Sequence, residues 1–134
     1  MKAIKQPLIT PISKDLYRLT EDYRIKVNGI SISVPKGFVS DGISCPRIFW
    51  AIARPNGLGR AGALIHDWLY CNKGTAGELN LSRKVVDRIF RKILIESGVS
   101  IGKSNLLYRM VRWFGRFGWN KKRDWSYLNN KEVS

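Results

Sequence analysis

Apolar and polar residues alternate along "YRIKV" (23–27) and "ISISV" (30–34), and a period of two predicts a pair of strands. Asn28-Gly29 between them predicts a hairpin, because a two-residue turn that follows the strand twist needs positive φ at both central positions. Pro35 cannot donate to a ladder and ends the second strand. The β region is read as residues 14–40, preceded by an irregular arm over 1–13 that holds Pro7 and Pro11. From 41 to 60 turn residues crowd together (Gly42, Pro46, Pro55, Asn56, Gly57, Gly59), with room for a short helix in "RIFWAIA". A loop this long inside a compact domain usually carries function.

Beyond residue 60 the period lengthens to that of a helix. One helix is predicted from about Arg60 to Cys71 and a second from about Leu81 to Ser97, stopped by Gly98. The stripe of the second is Val85, Val86, Ile89, Phe90, Ile93 and Leu94. A third helix, from about Lys103 to Phe117, gathers Leu106, Leu107, Met110, Val111, Phe114 and Phe117 on one side as its core face. Arg109, Arg112 and Arg116 share the other side. The helical half thus covers 60–118, and 119–134 is a polar, basic tail. The fold class is α+β in one domain of 134 residues: an N-terminal antiparallel hairpin or small sheet, then about three helices.

Charge changes this picture more than composition does. The net charge is +14, and between Arg83 and Arg123 twelve Lys or Arg stand against Asp87 and Glu96 alone. That stretch carries ten of the fourteen net charges and predicts a polyanionic partner, either nucleic acid or an anionic membrane. Arg109, Arg112, Arg116, Lys121, Lys122 and Arg123 are the candidate contacts. Aromatic residues interleave with them, as stacking on bases or lodging at a lipid interface would require. No helix-turn-helix, zinc-finger or RNP-like pattern is present, so reading of base sequence is not expected. Cys45 and Cys71 belong to no C-x-x-C pair, and a reducing compartment is the default expectation. "MKAIKQPLITPISKD" lacks the apolar core of a signal peptide, and no run nears the ~20 apolar residues that cross a bilayer.

The candidate chemistry lies in "ALIHDWLYC", which holds the single histidine of the chain. On a helix, His66 and Tyr70 are i, i+4 neighbours and Asp67 points ~100° further round. A helix apolar on most sides is buried, so this polar pair needs partners. Asp87 lies at the edge of the second helix's apolar stripe. On an antiparallel neighbour it would accept from one nitrogen of His66 and leave the other as a base. Asp67 would then face the 41–60 loop, where Asp41 and backbone carbonyls could complete a Ca²⁺ or Mg²⁺ site. In the same loop Ser44 and Arg47, with Tyr70, are candidates for holding an anion. One histidine rules out a zinc hydrolase with two or three His ligands.

His66-Asp67-Trp68-Leu69-Tyr70 resembles the His-Asp-x-Cys-Tyr helix of secreted calcium-and-histidine phospholipases. That resemblance implies His66 activating water, Asp67 binding Ca²⁺ and Asp87 orienting the histidine. Leu69 stands where the motif has cysteine, and a glycine-rich calcium loop is at most echoed by "RPNGLGRAG". A broader resemblance joins "VPKGFVSDGISCPRIFW", "HDWLY", "SRKVVDRIF" and "MVRWFG". In that order they look like a small domain-of-unknown-function family of tailed bacteriophages and prophages. It implies a phage or prophage origin, a place in the host cytoplasm or the virion, and other phage proteins as alternative partners. It supplies no activity.

Two functional readings follow. In one, His66 and Asp87 form a hydrolase-like site, with a divalent cation held by Asp67 and Asp41. In the other, the His-Asp network only locks the helices together. The basic half of a virion-associated or accessory protein then binds DNA, membrane or another phage protein.

Overall fold

A computed structural model describes residues 5–13, 16–40 and 59–119. Strands β3 (Tyr23–Val27) and β4 (Ile30–Val34) form the expected hairpin, pairing Tyr23 with Val34 and Val27 with Ile30. Asn28 and Gly29 turn it at φ of 52° and 78°. Tyr23, Val27, Ile32 and Val34 face inward, while Arg24, Lys26, Ser31 and Ser33 face solvent. A three-stranded sheet of order β1-β2-β5 lies alongside, from Ile9–Ser13, Leu16–Leu19 and Val39–Ser40. Both its pairings are antiparallel.

Three helices follow: α1 (Arg60–Cys71), α2 (Arg83–Glu96) and α3 (Ile101–Trp119). The Ser82 hydroxyl accepts from the Val85 N–H and caps α2. Helices α1 and α2 run antiparallel: Gly62 meets Phe90 and Leu94, His66 meets Phe90 and Asp87, and Tyr70 meets Asp87 and Arg83. Gly62 permits the close approach, since a Cβ there would lie 3.0 Å from Leu94 Cδ2. One core joins the strands (Leu19, Val27, Ile32, Val34, Phe38) to Ile65, Leu69 and Tyr70 of α1 and to Val86, Ile89 and Ile93 of α2. A second core seats α3 through Leu107 and Val111 on Ala63, Phe90 and Leu94. Each large apolar side chain so buried contributes ~1.5–3 kcal/mol.

Several expectations are corrected. The arm is not irregular throughout: residues 9–13 form β1, where Pro11 is tolerated because an edge strand pairs on one side only. The arm is also tied down before that strand, as Tyr23 donates to the Lys5 carbonyl at 2.5 Å and Gln6 Oε1 accepts from the Ala61 N–H. Two two-residue strands not read from the sequence, β6 (Thr75–Ala76) and β7 (Leu79–Asn80), link α1 to α2. Gly74, at φ 85°, begins that link. A Cβ there would sit 1.9 Å from the Leu81 carbonyl oxygen, so no other residue fits. Helix α3 starts at Ile101, with the Ser100 hydroxyl accepting from the Lys103 N–H. Its expected core face is divided: Leu107 and Val111 are buried with Ser104, whereas Leu106 and Phe114 are exposed. The helix suggested in "RIFWAIA", and nearly all of the 41–60 loop, lie outside the described residues.

Candidate functional site

Asp87 is wholly buried, and its carboxylate gathers side chains from all three helices. His66 Nε2 lies 2.9 Å from Oδ1, and the Tyr70 hydroxyl donates to the same oxygen at 2.5 Å. Arg112 of α3 donates to Oδ2 at 2.7 Å, and Arg83, one turn earlier on α2, forms an ion pair with that oxygen at 3.6 Å. Arg83 also reaches the Tyr70 hydroxyl and the carbonyls of Val111 and Arg112, fastening α2 to α3. The His66 ring makes tilted contacts with Tyr70, at 4.1 Å between centroids, and with Phe90, at 4.9 Å.

The electrostatics fix which atoms carry protons. Burial pushes the Asp87 carboxyl up, but His66, by hydrogen bond and charge, then Tyr70 and Arg112, outweigh it. The net effect holds Asp87 below the usual carboxylate range. An ionised carboxylate only accepts, so His66 Nε2 carries a hydrogen, and whenever the ring is neutral Nδ1 is its acceptor. Among the described residues Nδ1 makes no hydrogen bond. Burial, and then the negative Asp87, push the Tyr70 phenol far up, so it stays protonated and serves as a donor. The site can therefore orient an imidazole and keep its tautomer, with the base nitrogen turned away from the ion cluster.

The structure brings together His66, Asp87 and Tyr70. The Tyr70 hydroxyl, expected to help hold an anion, donates to the Asp87 carboxylate. Arg112, expected on the basic face, is half-buried and its guanidinium meets Asp87 Oδ2. Arg109 remains exposed on α3. Asp67 is buried, with Oδ1 3.8 Å from Cys71 Sγ one turn on. Asp41, Ser44, Arg47, Lys121, Lys122, Arg123 and the side chain of Arg116 lie outside the described residues.

As for Ca²⁺ or Mg²⁺, the described residues hold no group of three or more His, Cys, Asp or Glu side chains that fits an ion. Asp67 offers one carboxylate, whereas Ca²⁺ takes six to eight oxygens. Sequence reasoning missed Arg83 and the inward role of Arg112. Arg83 had a signal, its i, i+4 spacing from Asp87. Arg112 had none, since its reach depends on how α3 docks.

Residues 17–111 match the model of a family described as "Protein of unknown function (DUF1353)". The match takes in His66, Asp67, Tyr70, Arg83 and Asp87. No curated protein and no solved structure matches the chain.

Proposed function

The chain belongs to DUF1353, a family of proteins of unknown function, and from that premise we propose that His66 is the general base of a hydrolase acting on an ester bond of a phospholipid or other cell-envelope substrate. The observation that carries the reading is the 2.9 Å contact of His66 Nε2 with the ionised Asp87. It leaves Nδ1 as the acceptor. In the reaction Nδ1 takes a proton from water as the water oxygen attacks the ester carbonyl. The tetrahedral intermediate then collapses with cleavage of the ester C–O bond, and the imidazolium returns that proton to the departing alcohol oxygen. Asp87 faces the resulting imidazolium and stabilises it. Hydrogen bonds from His66, Tyr70 and Arg112 keep Asp87 ionised, Arg83 pairs with its Oδ2, and the rings of Tyr70 and Phe90 flank the imidazole. An aspartate on an antiparallel helix is the arrangement implied by the resemblance to calcium-and-histidine phospholipases. Asp67 is the residue that would contribute to a cation site, with Asp41, and no step is assigned to a metal. The sequence blocks support a phage or prophage origin, with the host cytoplasm or the virion as the place of action.

The test is hydrolysis of phospholipid, peptidoglycan and simple ester substrates by wild type and His66→Ala. Loss of a general base lowers turnover by about 10²–10⁴-fold. An inactive wild type, or a His66→Ala protein that still turns over, overturns the reading.

A second reading is favoured by one observation, the four partners from three helices on Asp87. In it the cluster is only a lock, and the protein is a non-enzymatic accessory or virion component whose basic half binds DNA, membrane or another phage protein. His66→Ala would then lower the melting temperature and leave polyanion binding unchanged.

A further inference from the structure

Helix α3 carries two apolar stripes where docking on the core needs one. Ser104, Leu107 and Val111 form the buried stripe. Leu106, Met110, Trp113 and Phe114 form the other, about 100° round the helix at i, i+4, i+7 and i+8, with Met110 at its inner edge and partly packed on the core. Leu106 is 47% exposed, Trp113 64% and Phe114 37%, with Met110 half-buried between them. Such rows are uncommon on a protein surface without a partner. Exposed Lys103 stands in line with this row one turn before Leu106, and exposed Arg109 lies along one side of it.

Charge decides the partner. Helix α3 itself holds four Lys or Arg and no acidic residue. A second copy laid on this face would bring like charges together. A nucleic acid would satisfy the cations, but Leu106 and Met110 would gain nothing from a phosphate backbone. A surface that offers anionic headgroups over an apolar layer satisfies both, and an aromatic residue at that boundary is well placed. Among the described residues no helix is long and apolar enough to cross a membrane, so the contact lies in the plane of the surface.

We infer that the outer face of α3, through Leu106, Met110, Trp113 and Phe114 with Lys103 and Arg109 at its margins, docks on an anionic lipid surface. This inference stands apart from the hydrolytic reading, because docking requires no turnover.

Co-sedimentation with phosphatidylglycerol-containing vesicles, and with vesicles of phosphatidylcholine alone, tests it. The wild-type protein should bind the anionic vesicles and be released by salt, and His66→Ala should bind as well as wild type. Leu106→Ser combined with Trp113→Ser should weaken binding by about tenfold or more. Arg109→Glu, which leaves the apolar stripe whole, should weaken it by roughly fivefold or more. Unchanged binding by both variants overturns the inference. It is also overturned if the serine variant loses affinity for a DNA oligonucleotide as steeply as for vesicles, which assigns the face to nucleic acid. A wild-type dimer that this variant dissolves assigns the face instead to a second copy.

Discussion

Asp87 is the residue on which most else depends. A buried carboxylate costs several kcal/mol of lost hydration, repaid here only by the donors around it. Asp87→Asn keeps the shape and removes the charge, leaving Arg83 and Arg112 without an anion. The expected loss is about 2–4 kcal/mol, short of the roughly 3–5 of a fully buried pair because both guanidiniums reach solvent. The pH dependence has a definite sign. The carboxyl is held below its usual range in the fold, so its contribution is complete above about pH 4, its unfolded value. It is then lost as the pH falls through the lower folded value. Melting temperature followed from pH 6 down to pH 2 should fall steeply in wild type and less in Asp87→Asn. Parallel curves would mean that Asp87 is not ionised in the fold.

At the scale of elements, α3 makes the sharpest distinction. Leu107→Ala empties a fully buried position and should cost about 2–5 kcal/mol, whereas Leu106→Ala, one residue earlier, should cost less than about 1. Urea denaturation of the two variants checks it, and equal losses would contradict the division of the helix into two stripes. The sequence could not divide them. Its six apolar positions cover roughly 140° of the helix, wider than one contact face needs, and only the docked neighbours decide which half is core. The β3–β4 hairpin was legible because Asn28-Gly29 is a local signal. The bounds of α1 and α2 were legible within two residues because their stripes are regular. The β6–β7 link was not, since strands of two residues carry no period. His66 and Asp87 could be paired on paper because a polar residue within an apolar helix demands a buried partner. Of the arginines that complete the cluster, Arg83 stands i, i+4 from Asp87, whereas the reach of Arg112 comes from the docking of α3, which no spacing rule encodes.

For the whole molecule, the long-range ties run from both ends of the described chain to the same region. Gln6 bonds to α1 and, through Ser97, to the turn after α2. Trp119 packs edge-on against Tyr70, 5.1 Å between ring centroids, while its carbonyl accepts from Lys73 Nζ. The family match ends at Val111, one residue before Arg112. A protein cut at that boundary would keep every matched residue and lose the shortest ion-pair contact to Asp87, along with the ring that covers Tyr70. It should lose the cooperative thermal transition that a chain ending at residue 119 retains. The stretch recognisable across relatives and the stretch able to fold by itself are then different lengths, and anyone expressing this domain by its family limits would be handling an incomplete molecule.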